Sequence, residues 1–273
     1  MTRPDVSVAV VSHNDARYLP ACLDSLAPER HSLQLEVFVV DNMSVDETVP
    51  LVRERYSWVR LIENSRRQGF AANNNRAIRR SSGRYVLVLN PDTEVRPRAL
   101  ERLVSFMQGH PRVGLCGPQL LFPDGSVQPS CRRFPTLGTV IVRRTPLRIW
   151  LRNSGFGQRH LMADVDHGTC RAVDWIIGAS IMARRELLET VGLMDEGYFL
   201  YVEDIDWAYR AWQRGWRVMY YPEAQIVHYH QAKSDNALLS RYSWYHLRGM
   251  WRFYRKHRAP SWLRLAVEPE KLS

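Results

Sequence analysis

Residues 6–11, Val6-Ser7-Val8-Ala9-Val10-Val11, form an almost wholly apolar run without helical spacing, closed by the polar Ser12-His13-Asn14-Asp15. Such a run predicts a strand buried on both faces of a parallel sheet and ending in a loop. Residues 18–26 then carry apolar side chains at 18, 19, 22, 23 and 26, the 3-4 spacing of an amphipathic helix. The unit repeats. Residues 35–40 predict a second buried strand ending in Asp41-Asn42-Met43-Ser44, and Asp46 is placed to cap a helix over 48–56. Residues 59–62, 71–80 and 85–89 continue as strand, helix and strand. Strands and helices alternating at this interval predict a doubly wound, mostly parallel sheet.

After residue 98 the pattern changes. A helix is predicted over 99–107, and then Pro111, Gly114, Gly117, Pro118, Pro123, Gly125 and Pro129 punctuate a stretch that reads as short antiparallel pieces and loops. Residues 131–171 are basic and poorly periodic, which suits a mobile loop region over a site. Residues 175–182 are apolar around Gly178, 184–191 read as a helix closed by Gly192, and a helix follows Glu203-Asp204-Ile205-Asp206 and ends at Gly215. Residues 216–221 and 224–229 read as extended segments on either side of Pro222-Glu223.

Composition narrows the class. The 273 residues are 45% hydrophobic and 24% charged, with 9 Trp, 12 Tyr and 8 Phe, which excludes a disordered or collagen-like chain. No apolar run approaches the roughly 20 residues of a spanning helix and no secretory leader is recognisable, so a cytoplasmic protein is expected. Cysteines 22, 116, 131 and 170 form no CxxC pair, which gives neither a disulfide framework nor a zinc knuckle and fits a reducing compartment. The net charge of +10 is local: residues 131–171 hold 8 basic and 2 acidic groups, and residues 208–273 hold 12 and 4. A basic surface of this kind points to an anionic partner, whether nucleic acid, a phosphorylated substrate or an anionic membrane leaflet.

Ligands of doubly wound sheets bind beyond the carboxyl ends of the strands, which here carry Ser12-His13-Asn14, Asp41-Asn42 and Asn90-Pro91-Asp92. Any one of these is also ordinary turn chemistry, whereas three together favour a site. With no G-x-G-x-x-G after the first strand and no P-loop, a nucleotide would be held by carboxylates and a metal, Asp41 accepting hydrogen bonds from a ribose or base. Glu203-Asp204, next to Tyr198-Phe199-Leu200-Tyr201, is a candidate general-base pair, because burial raises a carboxyl's pKa toward neutrality. Asp206 reads as a helix-dipole partner. His228 and His230 share one face of an extended segment, either as ordinary polar residues or as metal ligands.

Five ordered blocks carry a resemblance: Val6-Ser7-Val8-Ala9-Val10-Val11-Ser12-His13-Asn14; Val39-Val40-Asp41-Asn42-Met43-Ser44; Asn64 with Gly69-Phe70-Ala71-Ala72-Asn73-Asn74; Leu89-Asn90-Pro91-Asp92; and Phe199-Leu200-Tyr201-Val202-Glu203-Asp204-Ile205-Asp206. Over about residues 5–258 the chain resembles the inverting glycosyltransferases of family 2 with the GT-A fold, in the bacterial rhamnosyltransferase-like group. The resemblance implies that Ser12, Asn14, Asp41 and Asn42 hold a nucleotide and that Asn73 lies near the sugar diphosphate. Asn90-Pro91-Asp92 stands at the Asp-x-Asp metal motif, with Asn90 replacing the first carboxylate and a contribution from Glu94 open. Asp92 and His228 would then hold Mg2+ or Mn2+, and Asp204 would be the general base, beside Glu203. Trp175 and Gly178 fall on the acceptor side.

The expected fold class is α/β, a GT-A sheet with an acceptor-side subregion and a C-terminal helical tail. Its parts are a nucleotide-sugar-binding half over 1–98, an acceptor-binding and catalytic half of the same domain over 99–232, and a basic aromatic tail over 233–273. The expected reaction is metal-dependent inverting transfer, with L-rhamnose from dTDP-rhamnose as the first donor, to a lipid-linked or polysaccharide acceptor of the cell envelope. A UDP-hexose donor is the nearest alternative, since a fold does not fix the donor. A non-catalytic nucleic-acid-binding protein is the third reading, supported by basic charge alone and opposed by the converging carboxylates. Along 238–265, Trp244, Trp251, Phe253, Tyr254 and Trp262 mix with Arg241, Arg248, Arg252, Arg255, Lys256 and Arg258. This is the composition of an interfacial helix on the anionic inner face of the plasma membrane, or of a packed helix with a solvated basic face.

Overall fold

The computed structural model describes residues 3–135, 162, 165–229 and 241–257. Most of the predicted basic loop at 131–171, His230, and the tail before 241 and after 257 lie outside the described residues. The strands are β1 Val6–Ser12, β2 Leu35–Asp41, β3 Val59–Glu63, β4 Tyr85–Leu89, β5 Thr93–Val95, β6 Val113–Leu121, β7 Val127–Gln128, β8 Cys131–Arg132, β9 Arg171–Ala172, β10 Trp175–Ile176, β11 Ser180–Arg184 and β12 Arg217–His228. The helices are α1 Leu19–Leu26, α2 Thr48–Arg55, α3 Phe70–Ile78, α4 Ala99–Gly109, α5 Arg185–Val191, α6 Glu203–Gln213 and α7 Arg241–His257.

The main sheet runs β3-β2-β1-β4-β11-β6-β12-β5, with β7 on β6 and β9 on β12, while β8 and β10 form a separate ribbon. Pairing is parallel among β3, β2, β1 and β4 and between β6 and β12; β11 is antiparallel to β4 and β6, and β5 to β12. Side-chain alternation divides two cores. Val6, Val8, Val10, Leu87 and Leu89 pack on one face with Leu19, Leu23 and Leu103 of α1 and α4. Val86 and Val88 pack on the other face with Ile205 and Trp207 of α6 and Met250 and Phe253 of α7. Because both faces are covered, these strands read as unbroken apolar runs.

The expected short antiparallel pieces are present from Phe122 onward, where a turn leads into β7 antiparallel to β6 and β8 pairs antiparallel with β10, but residues 113–121 form one nine-residue strand, β6, buried throughout. Its glycines answer to packing rather than turning. A Cβ on Gly114 would strike Leu187 and lie 2.9 Å from Trp216 Cβ, and one on Gly117 would strike Ile176, so side chains press directly on this backbone. Pro118 sits opposite Tyr221, where β12 bulges before Gln225, a position that spares the missing N–H. The predicted pair of extended segments around Pro222 is accordingly a single strand, β12, with that bulge inside it.

Helix α7 is docked by buried charge as well as by apolar burial. Asp206 lies in the first turn of α6, as the helix-dipole reading expects, but does more than face the dipole. It is fully buried, with Arg210 Nε 2.7 Å away, Lys256 Nζ and His257 Nε2 each at 2.8 Å, and Tyr198 Oη at 3.2 Å, all donating to its carboxylate. Lys256 and Arg252 also bind Asp195, at 2.7 and 2.8 Å. Met250 and Phe253 go into the core beneath, each worth about 1.5–3 kcal/mol of burial. Gly249 lets the helix approach the turn at Tyr201-Val202, since a Cβ there would lie 3.0 Å from Val202 Cγ2.

Asp206→Ala removes the common counter-charge of Arg210, Lys256 and His257, and denaturant unfolding should read a loss of about 3–5 kcal/mol. Burial pushes the Asp206 carboxyl up, but hydrogen bonds from His257 and Lys256 and the Arg210 charge outweigh it and hold the pKa below the usual range. A lowered folded-state pKa contributes stability that is present above the unfolded value of about 4 and is lost as pH falls from there. The variant's stability should therefore depend less on pH than the wild type's below about pH 4.

Candidate active site

Strands β2, β1 and β4 are neighbours and parallel, so their carboxyl ends share one edge: Ser12 lies opposite Asp41, and Val10 opposite Leu89. The loops beyond this edge are tied together by polar side chains. Ser12 is fully buried, its hydroxyl donated to Asp15 Oδ2 at 3.4 Å, so it shapes the turn behind the cleft. Asn14 takes a left-handed conformation (φ 58°), accepts Val45 N–H at 2.8 Å and donates its own N–H to Ser44 Oγ at 2.9 Å. Asp41 is 3% exposed; its Oδ2 accepts Ser44 N–H at 3.1 Å, while its buried Oδ1 has no partner. It lines a surface cleft with Ser44, Asp46, Glu63 and Asn64. A buried acceptor left unmatched beside a cleft suits a donor brought by a ligand.

Asn42 and Asn73 belong to an amide ladder. Asn42 accepts Gln68 N–H at 2.9 Å and Asn64 Nδ2 at 3.1 Å, and donates to Gln68 O at 3.0 Å. Asn64 also donates to Asn73 Oδ1 at 2.5 Å and accepts from Arg76, and Asn73 Nδ2 donates to Gln68 O at 3.2 Å. The ladder holds the loop between β3 and α3 against the end of β2.

Gly178 and Asp204 reach the same edge through β11. Ser180 of β11 pairs with Leu89, the Asn90 N–H donates to Ala179 O at 2.9 Å, and the Gly178 N–H donates to Asp204 Oδ2 at 3.0 Å. Asp204 is thereby two contacts from the Asn90-Pro91-Asp92 turn. A Cβ on Gly178 would lie 3.4 Å from the Phe70 ring and 3.7 Å from Asp204 Oδ2, so the glycine keeps this spot open. The two loop systems also touch, because Phe70 N–H donates to Phe199 O at 2.8 Å and a Cβ on Gly69 would lie 2.5 Å from that oxygen. Trp175 is buried, with its indole N–H donated to Arg133 O at 3.0 Å.

Asp204 and Glu203 differ by exposure. Tyr201 and Val202 both take positive φ, 67° and 74°, a conformation costing of order 1–3 kcal/mol per non-glycine residue, and so turn the start of α6 toward the edge. Asp204 stays half-exposed, and burial by its surroundings pushes its pKa up to about 6 against the N–H donors of Ile205 and Gly178. Glu203 is 4% exposed with Oε2 unpartnered, and burial followed by the Asp204 charge raises it well above the carboxylate range. The geometry therefore pairs a half-buried carboxyl with a more deeply buried neighbour whose pKa is raised further by that burial.

At the far side, His228 Nε2 lies 3.4 Å from Asp92 Oδ1, both residues being buried. In the tautomer that donates Nδ1–H to Gln128 Oε1 at 2.8 Å, Nε2 turns a lone pair toward the carboxylate, an arrangement that a cation between them would satisfy. Glu94 is engaged elsewhere, accepting Tyr229 Oη at 2.5 Å. Among the described residues no three His, Cys, Asp or Glu side chains form a metal cluster. Asp92 and His228 would thus need oxygen ligands from a substrate and water. Gln128, Asp15 and Gln68 escaped the sequence reading: Gln128 stands 100 residues from the histidine it orients, and nothing in its own segment marks it.

The profile of the family described as Glycosyl transferase family 2 matches residues 7–191. The N-acetylglucosaminyl-diphospho-decaprenol L-rhamnosyltransferase of Mycobacterium tuberculosis is 32% identical over 243 residues, covering 83% of this chain and 76% of the relative. Rhamnosyltransferase WbbL of Escherichia coli is 26% identical over 266 residues, covering 93% and 94%. Among solved structures, the mannosyltransferase PcManGT of Pyrobaculum calidifontis, in complex with GDP-Man and Mn2+, superposes with a TM-score of 0.59 at 23% identity, over 86% of this chain and 59% of that one. GalNAc-T7 with UDP, GalNAc and Mn2+ gives 0.66 at 16%, over 93% and 48%. A sheet that gathers polar strand ends at one edge, the matching profile and these relatives exclude the non-catalytic reading: the chain belongs to glycosyl transferase family 2, in its rhamnosyltransferase-like group, and is a glycosyltransferase of GT-A architecture.

Proposed function

We propose that the chain transfers a sugar with inversion from a nucleoside diphosphate to a lipid-linked acceptor, with Asp204 as general base and dTDP-L-rhamnose as first donor. The observation that carries this reading is the half-exposed Asp204, raised toward neutrality and hydrogen-bonded to Gly178 beside the turn that holds Asn90 and Asp92. The relative from Mycobacterium tuberculosis, whose name specifies an L-rhamnosyl group and a diphospho-decaprenol acceptor, supports the sugar and the lipid. A lipid-linked acceptor would place the reaction at the inner face of the plasma membrane.

In the proposed step the acceptor oxygen attacks the anomeric carbon as its proton passes to an Asp204 oxygen, and the glycosidic electron pair leaves with the diphosphate. Glu203, whose carboxyl is raised by burial and by the Asp204 charge, would bring less negative charge beside the base than a second exposed carboxylate. Asp41 and the neighbouring loop would take the nucleoside, its buried Oδ1 accepting a ribose or base donor. Asp92 and His228 would hold Mg2+ or Mn2+, whose charge offsets that of the leaving diphosphate.

Asp204→Asn should lower turnover by about 10²–10⁴-fold while donor affinity, read by calorimetry, stays within a few-fold. In the wild type kcat/KM should fall as pH drops below about 6, where Asp204 takes up its proton, and Glu203→Gln should keep both rate and profile. Wild-type turnover in the Asp204→Asn enzyme sinks the assignment.

Asp92→Ala should abolish the part of donor binding that depends on added Mn2+, and His228→Ala should weaken it more mildly, because a neutral imidazole brings no charge. Titration of the nucleotide sugar with and without EDTA reads this directly. Donor binding and transfer unaffected by EDTA in the wild type would reject the metal assignment.

A further inference from the structure

Helix α7 contains Arg241, Arg248, Arg252, Arg255 and Lys256 and no acidic residue. Its inner side is committed: Ser243, Gly249, Met250 and Phe253 are buried, and Arg252 and Lys256 are bound to Asp195 and Asp206. Positions 241, 244, 248, 251 and 255 step by three and four and so form one stripe, reading Arg, Trp, Arg, Trp, Arg, with Leu247 alongside. All are exposed, Trp244 by 64%, Trp251 by 62% and Leu247 by 42%. A single exposed apolar side chain is ordinary, but two tryptophans and a leucine in one arginine-lined stripe form a patch. Arg255 lies over the Trp251 ring, 4.9 Å from its centroid.

We propose that this stripe seats the protein on an anionic phospholipid surface, with Trp244, Leu247 and Trp251 entering the headgroup boundary and Arg241, Arg248 and Arg255 pairing with lipid phosphates. Charge selects the occupant. A face with three arginines and no carboxylate complements a sheet of phosphates, and indole rings lodge at the boundary between headgroup and acyl chain. No helix among the described residues is long and apolar enough to cross a membrane, so the contact is peripheral. The opposite side of α7 packs Gly249 against Tyr201 and Val202, the turn that delivers Asp204. Phe199, 42% exposed and 4.8 Å from the Tyr245 ring, extends the apolar surface toward the cleft. Seated this way, the base stands about one helix diameter, roughly 10 Å, above the lipid. That height suits an acceptor sugar carried on a membrane-anchored diphosphate. The inference deepens the lipid-linked reading of the acceptor, yet its test is independent of transfer.

The full chain is cosedimented with phosphatidylglycerol–phosphatidylcholine vesicles and with pure phosphatidylcholine, at low and high salt, while tryptophan emission is followed. Binding should require phosphatidylglycerol, weaken with salt and shift the emission to the blue. The triple variant Arg241→Gln, Arg248→Gln, Arg255→Gln should lose about a hundredfold in affinity at low salt, on the scale of three surface cations. Trp244→Ser, Leu247→Ser, Trp251→Ser should lose the binding and the blue shift, and both variants should melt like the wild type and bind the nucleotide sugar unchanged. Absence of full-chain binding at low salt, or binding unaltered in both variants, overturns the proposal. So does a wild-type dimer that ignores vesicles and becomes a monomer in the tryptophan variant, which would make the stripe a self-association face. Vesicle binding without transfer to any lipid-linked sugar would count against the proposed reaction and leave this inference standing.

Discussion

A carboxylate removed from water has to be compensated where it lies, and Asp206 is compensated by three separate pieces of chain: Arg210 of its own helix, Lys256 and His257 of α7, and Tyr198 of the preceding loop. Taking any of them away leaves charge stranded in a low-dielectric interior, so the pieces hold together or fail together. What they enclose is the Tyr198 to Asp206 segment, with its two consecutive left-handed residues. That backbone is unfavourable by itself and persists because Gly249 and the ion network pin it from outside. Asp204 owes its position to this clamp, so a helix at the back of the turn sets where the proposed base stands.

The same edge of the sheet gathers Asp41, Asp92, Glu203 and Asp204, an arrangement that repels an anionic ligand unless its charges are managed. Each is managed differently. Asp41 has one oxygen bonded and one unmatched, Asp92 faces the imidazole of His228, Glu203 is buried with its pKa pushed up, and Asp204 keeps partial access to solvent. Two adjacent carboxyls that differ in exposure can serve as a silent acid and a working base, which two equivalent ones could not. Asn90 fits this arrangement, since an amide adds no negative charge to the turn that holds Asp92.

The first four strands and the helices between them were legible in the linear pattern. Buried parallel strands advertise themselves as apolar runs, and the polar loops that close β1, β2 and β4 meet at one edge because parallel neighbours must end together. Fold class and the meeting of three polar strand-end loops at one edge could therefore be read without coordinates. Over residues 113–121 local signals misled. The glycines and prolines of β6 look like turn punctuation, although Gly114 and Gly117 are small because Leu187, Trp216 and Ile176 press on the strand, and Pro118 is tolerated because β12 bulges opposite it.

Only the tertiary structure decided which polar residues face the cleft and which brace it. Ser12, Asn42 and Asn73 have the composition of ligand-binding residues, yet their side chains bond to Asp15, Gln68 and Asn64. Trp175 is buried, and Asp206, which sits where a helix dipole explains an acid, is the buried anchor of α7. The link from Asn90 through Ala179 and Gly178 to Asp204 joins segments some hundred residues apart, as does Gln128 to His228. Periodicity reports whether a side chain is covered, because burial repeats with the element; it carries no record of what covers it, because partners are chosen by folding across the sheet.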